Sequence, residues 1–142
     1  MKPLILVPFD GSKSAQHALE YATSMSKKGA AAPLHLLNVQ DLVDDLKLGV
    51  LLSREEIRAI AIKEGERTLL PAKVYLQDAG VPYVAHILHE QVAQGIARYC
   101  EEMKCDRIVM GTRGMGALAS MVLGSTAQKV IHLVHVPVTL VK

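Results

Sequence analysis

Short apolar runs alternate along this chain with longer segments in which apolar residues recur at helical spacing. The apolar runs at residues 4–7, 34–39, 84–88, 108–110 and 138–141 predict five strands. The helical pattern begins after Ser12, after Ser53, near Val92 and near Ala127. Strands that alternate with helices in this way are typical of α/β proteins with a parallel sheet and right-handed crossovers.

Local signals mark where several helices begin and end. Ser12 predicts an N-cap for the first helix. The S-R-E-E at 53–56 matches a capping box and begins a long helix that ends near Gly80. Pro71 interrupts this pattern, and the sequence leaves open whether the helix kinks there or a second helix restarts. Residues 40–52 have no convincing period and predict a loop, with or without a short helical turn.

Five parallel strands wound in both directions from the first have the order 3-2-1-4-5, with helices on both faces of a doubly wound sheet. In that order the first and fourth strands are neighbours. A ligand crevice is then expected between their carboxyl ends. This arrangement places Phe9 and Asp10 beside Met110 and Gly111, which lie far away in the sequence.

The stretch M-G-T-R-G-M-G-A-L-A-S-M-V-L-G-S-T at 110–126 carries the most specific chemistry in the chain. Glycine lets backbone approach a bulky anion closely, and we expect this of Gly111 and Gly114. The G-S-T at 124–126 is predicted to open the last helix, where free N–H groups and the positive dipole end favour phosphate. The alternative is a connecting loop closed by an ordinary Ser/Thr cap.

The spacing of this stretch is that of a known signature. Two residues separate Gly111 from Gly114, nine separate Gly114 from Gly124, and Ser125 follows, which resembles the nucleotide-binding signature of the universal stress protein family. The V-P-F-D-G-S at 7–12 resembles that family's amino-terminal motif, and the H-V-P-V-T-L-V at 135–141 resembles its closing strand. The resemblance covers essentially the whole chain, most weakly between residues 40 and 90, and points to the ATP-binding branch.

The resemblance implies a role for each matched position in binding ATP, with or without Mg²⁺. Pro8 and Val39 are expected to line and hydrogen-bond adenine through backbone groups, and Asp10 and Met110 to flank the base and ribose. Gly111 is expected to approach the ribose or α-phosphate. The residues expected to hold the phosphates are Gly114, Gly124, Ser125 and Thr126. Phe9 joins this set through the strand order alone, and Arg113 is added on electrostatic grounds.

Several of these positions also have an ordinary structural alternative. Asp10 could cap the turn before the first helix. Val39 and Met110 could be core residues, and Pro8 could simply end a strand. Their joint placement at one predicted switch point favours the binding interpretation.

The sequence does not contain the set of residues that efficient phosphoryl transfer requires. No GxxxxGK[ST] motif is present, and Asp10 is the only carboxylate placed near the predicted phosphates. We therefore expect an ATP-binding stress-response module whose nucleotide occupancy regulates an unknown protein partner. The alternatives are a slow ATPase or self-phosphorylation on Ser125 or Thr126, and an interaction module with a different ligand.

Length and charge restrict the partners. The 142 residues suit one domain, residues 1–142, with a net charge of +2. Basic residues do not cluster with aromatic ones, so we expect no nucleic-acid partner. No apolar run is long enough for a membrane span or a signal peptide, so we expect no membrane partner and a cytoplasmic location.

The cysteines and histidines do not form a recognisable metal motif. Cys100 and Cys105 have neither redox nor zinc-site spacing, and we expect reduced, packed thiols, with a redox sensor as the alternative. The paired histidines at 86 and 89 and at 132 and 135 are expected at surfaces or strand ends, since a zinc site usually needs three or four ligands.

The last strand, Val138–Val141, is predicted to be an edge strand with a largely apolar run. Antiparallel pairing with the same strand of a second copy would close the assembly with two-fold symmetry. Proteins of the family that this chain resembles form such homodimers, so we expect this chain to form a homodimer through Val138–Val141. The alternative is a short edge protected by Pro137 and Lys142.

Overall fold

A computed structural model of the chain describes residues 2–29, 32–42, 52–113 and 123–142. Strands and helices alternate through these residues, as the hydrophobic pattern predicts. The elements are β1 (Ile5–Pro8), α1 (Lys13–Lys28), β2 (Leu34–Gln40), α2 (Arg54–Ala79), β3 (Tyr83–His89), α3 (Val92–Met103), β4 (Arg107–Gly111), α4 (Ser125–Leu133) and β5 (Val138–Val141).

The described strands form one parallel sheet of order β3-β2-β1-β4-β5, which confirms the predicted order. In the centre of the sheet, Leu6 of β1 lies opposite His35 of β2 on one side and Ile108 of β4 on the other. β3 and β5 are the edges. The strand order reverses between β1 and β4, so their carboxyl ends form the switch point.

The core has one layer on each face of this sheet. Successive strand residues point to opposite faces, and Val7 and Leu6 of β1 do so here. Val7 belongs to the layer beneath α1 and α2, which includes Leu19. Leu6 belongs to the layer beneath α3 and α4, which includes Ile96. Both layers are built mainly from aliphatic side chains, and they hold the central strands rigidly under the site.

The predicted helix signals are present in the structure. The Ser12 hydroxyl caps α1 by accepting the Ala15 N–H at 3.2 Å. Ser53 and Glu56 form the reciprocal capping box of α2. Pro71 lies inside α2, so this segment is one helix and does not restart. None of the helices in the described ranges is both long and apolar enough to cross a bilayer.

Candidate functional site

The loop after β1 is fastened to the neighbouring strand β2. The Phe9 N–H donates to the Leu37 carbonyl oxygen at 2.8 Å, and the Phe9 carbonyl oxygen accepts from Asn38 Nδ2 at 2.9 Å. The Phe9 side chain is only 4% exposed and packs in the layer beneath α1 and α2. Phe9 therefore contributes its backbone to the rim of the crevice and its ring to the core.

Asp10 lies at the mouth of the crevice and is exposed. Its Oδ1 accepts the Ser12 N–H at 2.9 Å, which is the turn-capping role that the sequence left open. Gly11 follows at φ +86°, a conformation that favours glycine. The turn thus holds the Asp10 carboxylate in a defined place directly before the first helix.

The loop that follows β4 is fastened at its start to the amino terminus of α1. The Ser14 hydroxyl donates to the Arg113 carbonyl oxygen at 2.5 Å, and the Ser12 hydroxyl lies 3.3 Å from the same oxygen. Both serines are buried. The two loops that border the crevice are therefore one connected unit, although 99 residues separate Ser14 from Arg113. Sequence reasoning missed Ser14, because no local pattern marks a contact over that separation.

Gly111 ends β4 directly against the first turn of α1. A Cβ added to it would overlap Ser14 Oγ and lie 2.8 Å from both the Ala15 nitrogen and the Ser14 carbonyl carbon. Two of these three atoms are backbone of α1, so a shift would have to move the helix. The packing of α1 on β4 therefore requires glycine here, independently of any ligand.

The helix α4 begins without a side-chain cap. Gly124 is the N-cap residue, and its N–H donates to the Thr112 carbonyl oxygen at 2.6 Å. Ser125 is the first helical residue and is exposed, so it is not the N-cap that an ordinary connecting loop with a Ser/Thr cap would require. Thr126 follows and is half-buried. The N-cap residue therefore offers no side-chain acceptor to the first N–H groups of α4, and none of the described side chains takes that place. Free N–H groups at a helix start suit a bound phosphate or other anion.

Thr112 is a second residue that the sequence did not single out. It is 7% exposed, and its Oγ1 has no hydrogen-bond partner among the described residues. Its backbone is fully used, because the N–H donates to the Val141 carbonyl oxygen at 2.9 Å and the carbonyl accepts from Gly124. Buried hydroxyl groups without a partner are uncommon in native proteins. The Thr112 hydroxyl lies directly after β4, at the start of the connection to α4.

The remaining predicted residues line the carboxyl ends of the strands. Pro8 is buried at the end of β1, and extending the register from Leu6 and Ile108 by two residues places it level with Met110. The Met110 side chain is 5% exposed and packs beneath α3 and α4, where the half-buried Val39 also contacts the core. The side chains of Val39 and Met110 therefore belong to the core, as the structural alternative for these two positions proposed. Gly114 lies outside the described residues.

The two cysteines precede β4 in the chain, so they lie at the end of that strand opposite to the crevice. Cys100 and Cys105 are free and buried, as predicted for packed thiols. Burial raises the pKa of both thiols, that of Cys105 to about 12. The described residues contain no group of three His, Cys, Asp or Glu side chains placed to hold a metal ion. The histidines at 86, 89, 132 and 135 are all exposed.

Known proteins are similar to this chain over almost its whole length. The model of the universal stress protein family matches residues 3–142. The universal stress protein MJ0531 of Methanocaldococcus jannaschii is 33% identical over 138 residues, which cover 97% of this chain and 81% of that protein. These matches extend through the region between residues 40 and 90, where the sequence motifs are weakest.

Solved structures have the same fold. The structure of the hypothetical protein MJ0577 superposes with a TM-score of 0.84 at 26% identity, covering 100% of this chain and 96% of that one. A universal stress protein in complex with cAMP has a TM-score of 0.74 at 19% identity, with 99% and 97% of the two chains covered. The universal stress protein from Archaeoglobus fulgidus in complex with dAMP has a TM-score of 0.71 at 20% identity, covering 100% and 98%.

Proposed function

Because this chain belongs to the universal stress protein family, we propose that it binds ATP in the crevice between β1 and β4 and acts as a cytoplasmic stress-response module. The observation that carries the proposal is the first turn of α4, which has no side-chain cap among the described residues and lies beside the switch point of the sheet. Two structures with this fold were solved with the adenine nucleotides cAMP and dAMP, which supports an adenine nucleotide as the ligand class.

The proposed ligand divides its contacts between the two loops. The backbone at Pro8 and Val39 borders the adenine, and Asp10, with Met110 and Gly111 opposite, flanks the base and ribose. The phosphates lie against the amino end of α4, at Gly124, Ser125 and Thr126, together with Gly114. Arg113 adds positive charge from the loop between them. If Mg²⁺ accompanies ATP, Asp10 would supply a carboxylate ligand, since it is the only acid among the predicted site residues that the structure describes.

We propose that binding, not turnover, is the function of this crevice. Phosphoryl transfer requires acids that hold metal ions, charge stabilisers and an oriented nucleophile. Among the predicted site residues that the structure describes, Asp10 is the only acid, and one of its oxygens is already engaged by the Ser12 N–H. This supports a signalling role over catalysis.

A hydrogen bond connects the loop after β4 to β5, the strand that is proposed to form the homodimer. Thr112, at the start of this loop, donates its N–H to Val141 at the end of β5. β5 is an edge strand, and all four of its residues are only half-buried in the single chain. We propose that β5 pairs with β5 of a second copy. Ligand binding at the loop would then change the presentation of this edge to a protein partner.

The test compares two substitutions of the exposed Ser125. In Ser125→Glu the new carboxylate repels phosphates, yet it stabilises the first turn of α4 by about 0.3–1 kcal/mol through the helix dipole. Ser125→Gln is the matched neutral control. We expect calorimetric titration with ATP to show at least about tenfold weaker binding for the Glu variant than for the Gln variant, which keeps the backbone N–H at position 125 and adds no charge.

Mass spectrometry of nucleotide released from freshly purified parent protein supplies the second readout. We expect the parent to carry ATP and Ser125→Glu to carry none, although the ligand-free Ser125→Glu protein melts at the same temperature as the parent or slightly above it. If Ser125→Glu binds ATP as tightly as the parent, the phosphates do not lie at α4. A parent that neither carries nor binds ATP favours the interaction-module alternative.

A further inference from the structure

A separate cavity of about 510 Å³ lies between the amino-terminal turns of α2 and the end of β3. None of the described residues that are predicted to bind nucleotide lines it. Its lining combines aliphatic side chains with two arginines and a histidine. The lining residues are Arg54, Ile57, Arg58, Ala61, Ile62, Ile87, Leu88 and His89.

The apolar wall of the cavity is fixed by close packing of α2 on β3. Gly65 lies one turn beyond Ala61, and a Cβ added to it would lie 2.9 Å from Ile87 Cδ1. The helix therefore contacts the strand at Gly65, and the cavity lies towards the amino end of the helix. Ile57 and Leu88 are half-buried and Ile62 is 39% exposed. These side chains leave apolar surface that a ligand would remove from water.

The rim of the cavity carries two arginines that pair with no acid among the described residues. Arg54 and Arg58 are exposed and one helical turn apart, so both reach the same side of α2. Neither has an ion-pair or hydrogen-bond partner among the described residues. Glu56 completes the capping box and Glu90 pairs with an arginine of α3, so both of these acids are engaged elsewhere. Glu55 lies between the two arginines in the sequence and is exposed, and no ion pair joins it to either of them.

We propose that this cavity binds a small amphipathic anion, with its carboxylate between Arg54 and Arg58 and its apolar body against the aliphatic wall. Guanidinium groups bind carboxylates through two parallel hydrogen bonds, which favours this class over a neutral apolar ligand. The volume is within the range of small-molecule sites. The inference does not depend on ATP binding at the crevice.

The probe is decanoate, and decanol, which has the same chain without the charge, is its control. Nuclear magnetic resonance titration of the full chain measures affinity and locates the perturbed amides. We expect saturable one-to-one binding of decanoate with shifts centred on residues 54–62 and 87–89. Decanol is expected to bind at least about tenfold more weakly, because it lacks the pairing with the arginines.

Arg58→Gln tests the charge, and Arg67→Gln is the matched control on the same helix. Arg67 does not line the cavity and pairs with Glu64 at 2.8 Å. Decanoate affinity is expected to fall about tenfold in Arg58→Gln and to remain unchanged in Arg67→Gln, with thermal unfolding used to verify that both variants are folded.

Four outcomes would overturn the proposal. These are equal affinity for decanoate and decanol, unchanged decanoate affinity in Arg58→Gln, displacement of decanoate by ATP, and a change of oligomeric state in Arg58→Gln without any probe. The third would place the anion in the nucleotide crevice. The fourth, measured by sedimentation, would mean that a second copy covers this face.

Discussion

Replacing Gly111 by alanine separates two explanations for this glycine. The sequence suggests that glycine is needed so that a nucleotide can approach, and the structure shows that α1 already occupies the space of a side chain. If ligand approach were the only reason, Gly111→Ala would weaken ATP binding and leave the stability of the free protein unchanged. If packing is the reason, the free protein must lose stability.

The expected size of this loss follows from the neighbouring atoms. The new methyl group would lie 2.8 Å from the Ala15 nitrogen and the Ser14 carbonyl carbon, which move only with α1. Overpacking of this kind costs about 1–3 kcal/mol. The reduced freedom of the unfolded chain returns about 0.4–1 kcal/mol. We therefore expect a net loss of about 1–2 kcal/mol and a melting temperature lower by about 3–8 °C.

Thermal and urea unfolding followed by circular dichroism, without nucleotide, provide the measurement. Gly29→Ala is the matched control, because Gly29 has φ −125° and an added Cβ would meet only the Met25 carbonyl oxygen at 3.9 Å. The control is expected to be as stable as the parent or up to about 1 kcal/mol more stable. A Gly111→Ala protein at least as stable as the parent would refute the packing argument.

Three further predictions concern stability. Ser53→Ala removes the capping box of α2 and is expected to cost about 1 kcal/mol in urea unfolding, whereas an unchanged midpoint would show that the cap contributes nothing. Thr112→Val replaces the unpartnered hydroxyl by a methyl group and is expected to raise the free energy of unfolding by about 1 kcal/mol without nucleotide; a loss would contradict this. Burial, and secondly His86, lowers the pKa of His35, so the unfolded chain binds more protons and stability should decline as the pH falls below about 6.5. This decline should weaken in His35→Gln and persist in His89→Gln.

The strands of the sheet were predictable because burial on both faces leaves a continuous apolar run. β1 and the core of β4 are such runs, and their order followed from the alternation of elements. β3 was harder to define, because it is an edge strand in which exposed and half-buried residues largely alternate, and His86 is among the exposed ones. The structure extends β3 to Tyr83–His89, one residue beyond the predicted run at each end.

The candidate site was predictable only as far as its motif extends. The spacing of the glycines identified the loop and the start of α4, and the strand order placed β1 beside β4. The link from Ser14 to Arg113 and the unpartnered hydroxyl of Thr112 were not predictable. Both depend on contacts between distant segments, which leave no periodic or local signal in the sequence.

The hydrogen bond between Gly124 and Thr112 closes the loop at its base, where the chain leaves β4 and enters α4. The two ends of the connection are thereby held together by the scaffold itself, and doubling the length of a flexible loop between fixed ends costs only about 0.6 kcal/mol in chain entropy. We therefore expect the scaffold to accept replacement segments between these two residues. Segments of other lengths and charges, grafted between the same two anchor residues, offer a way to change the recognised ligand while the scaffold stays constant.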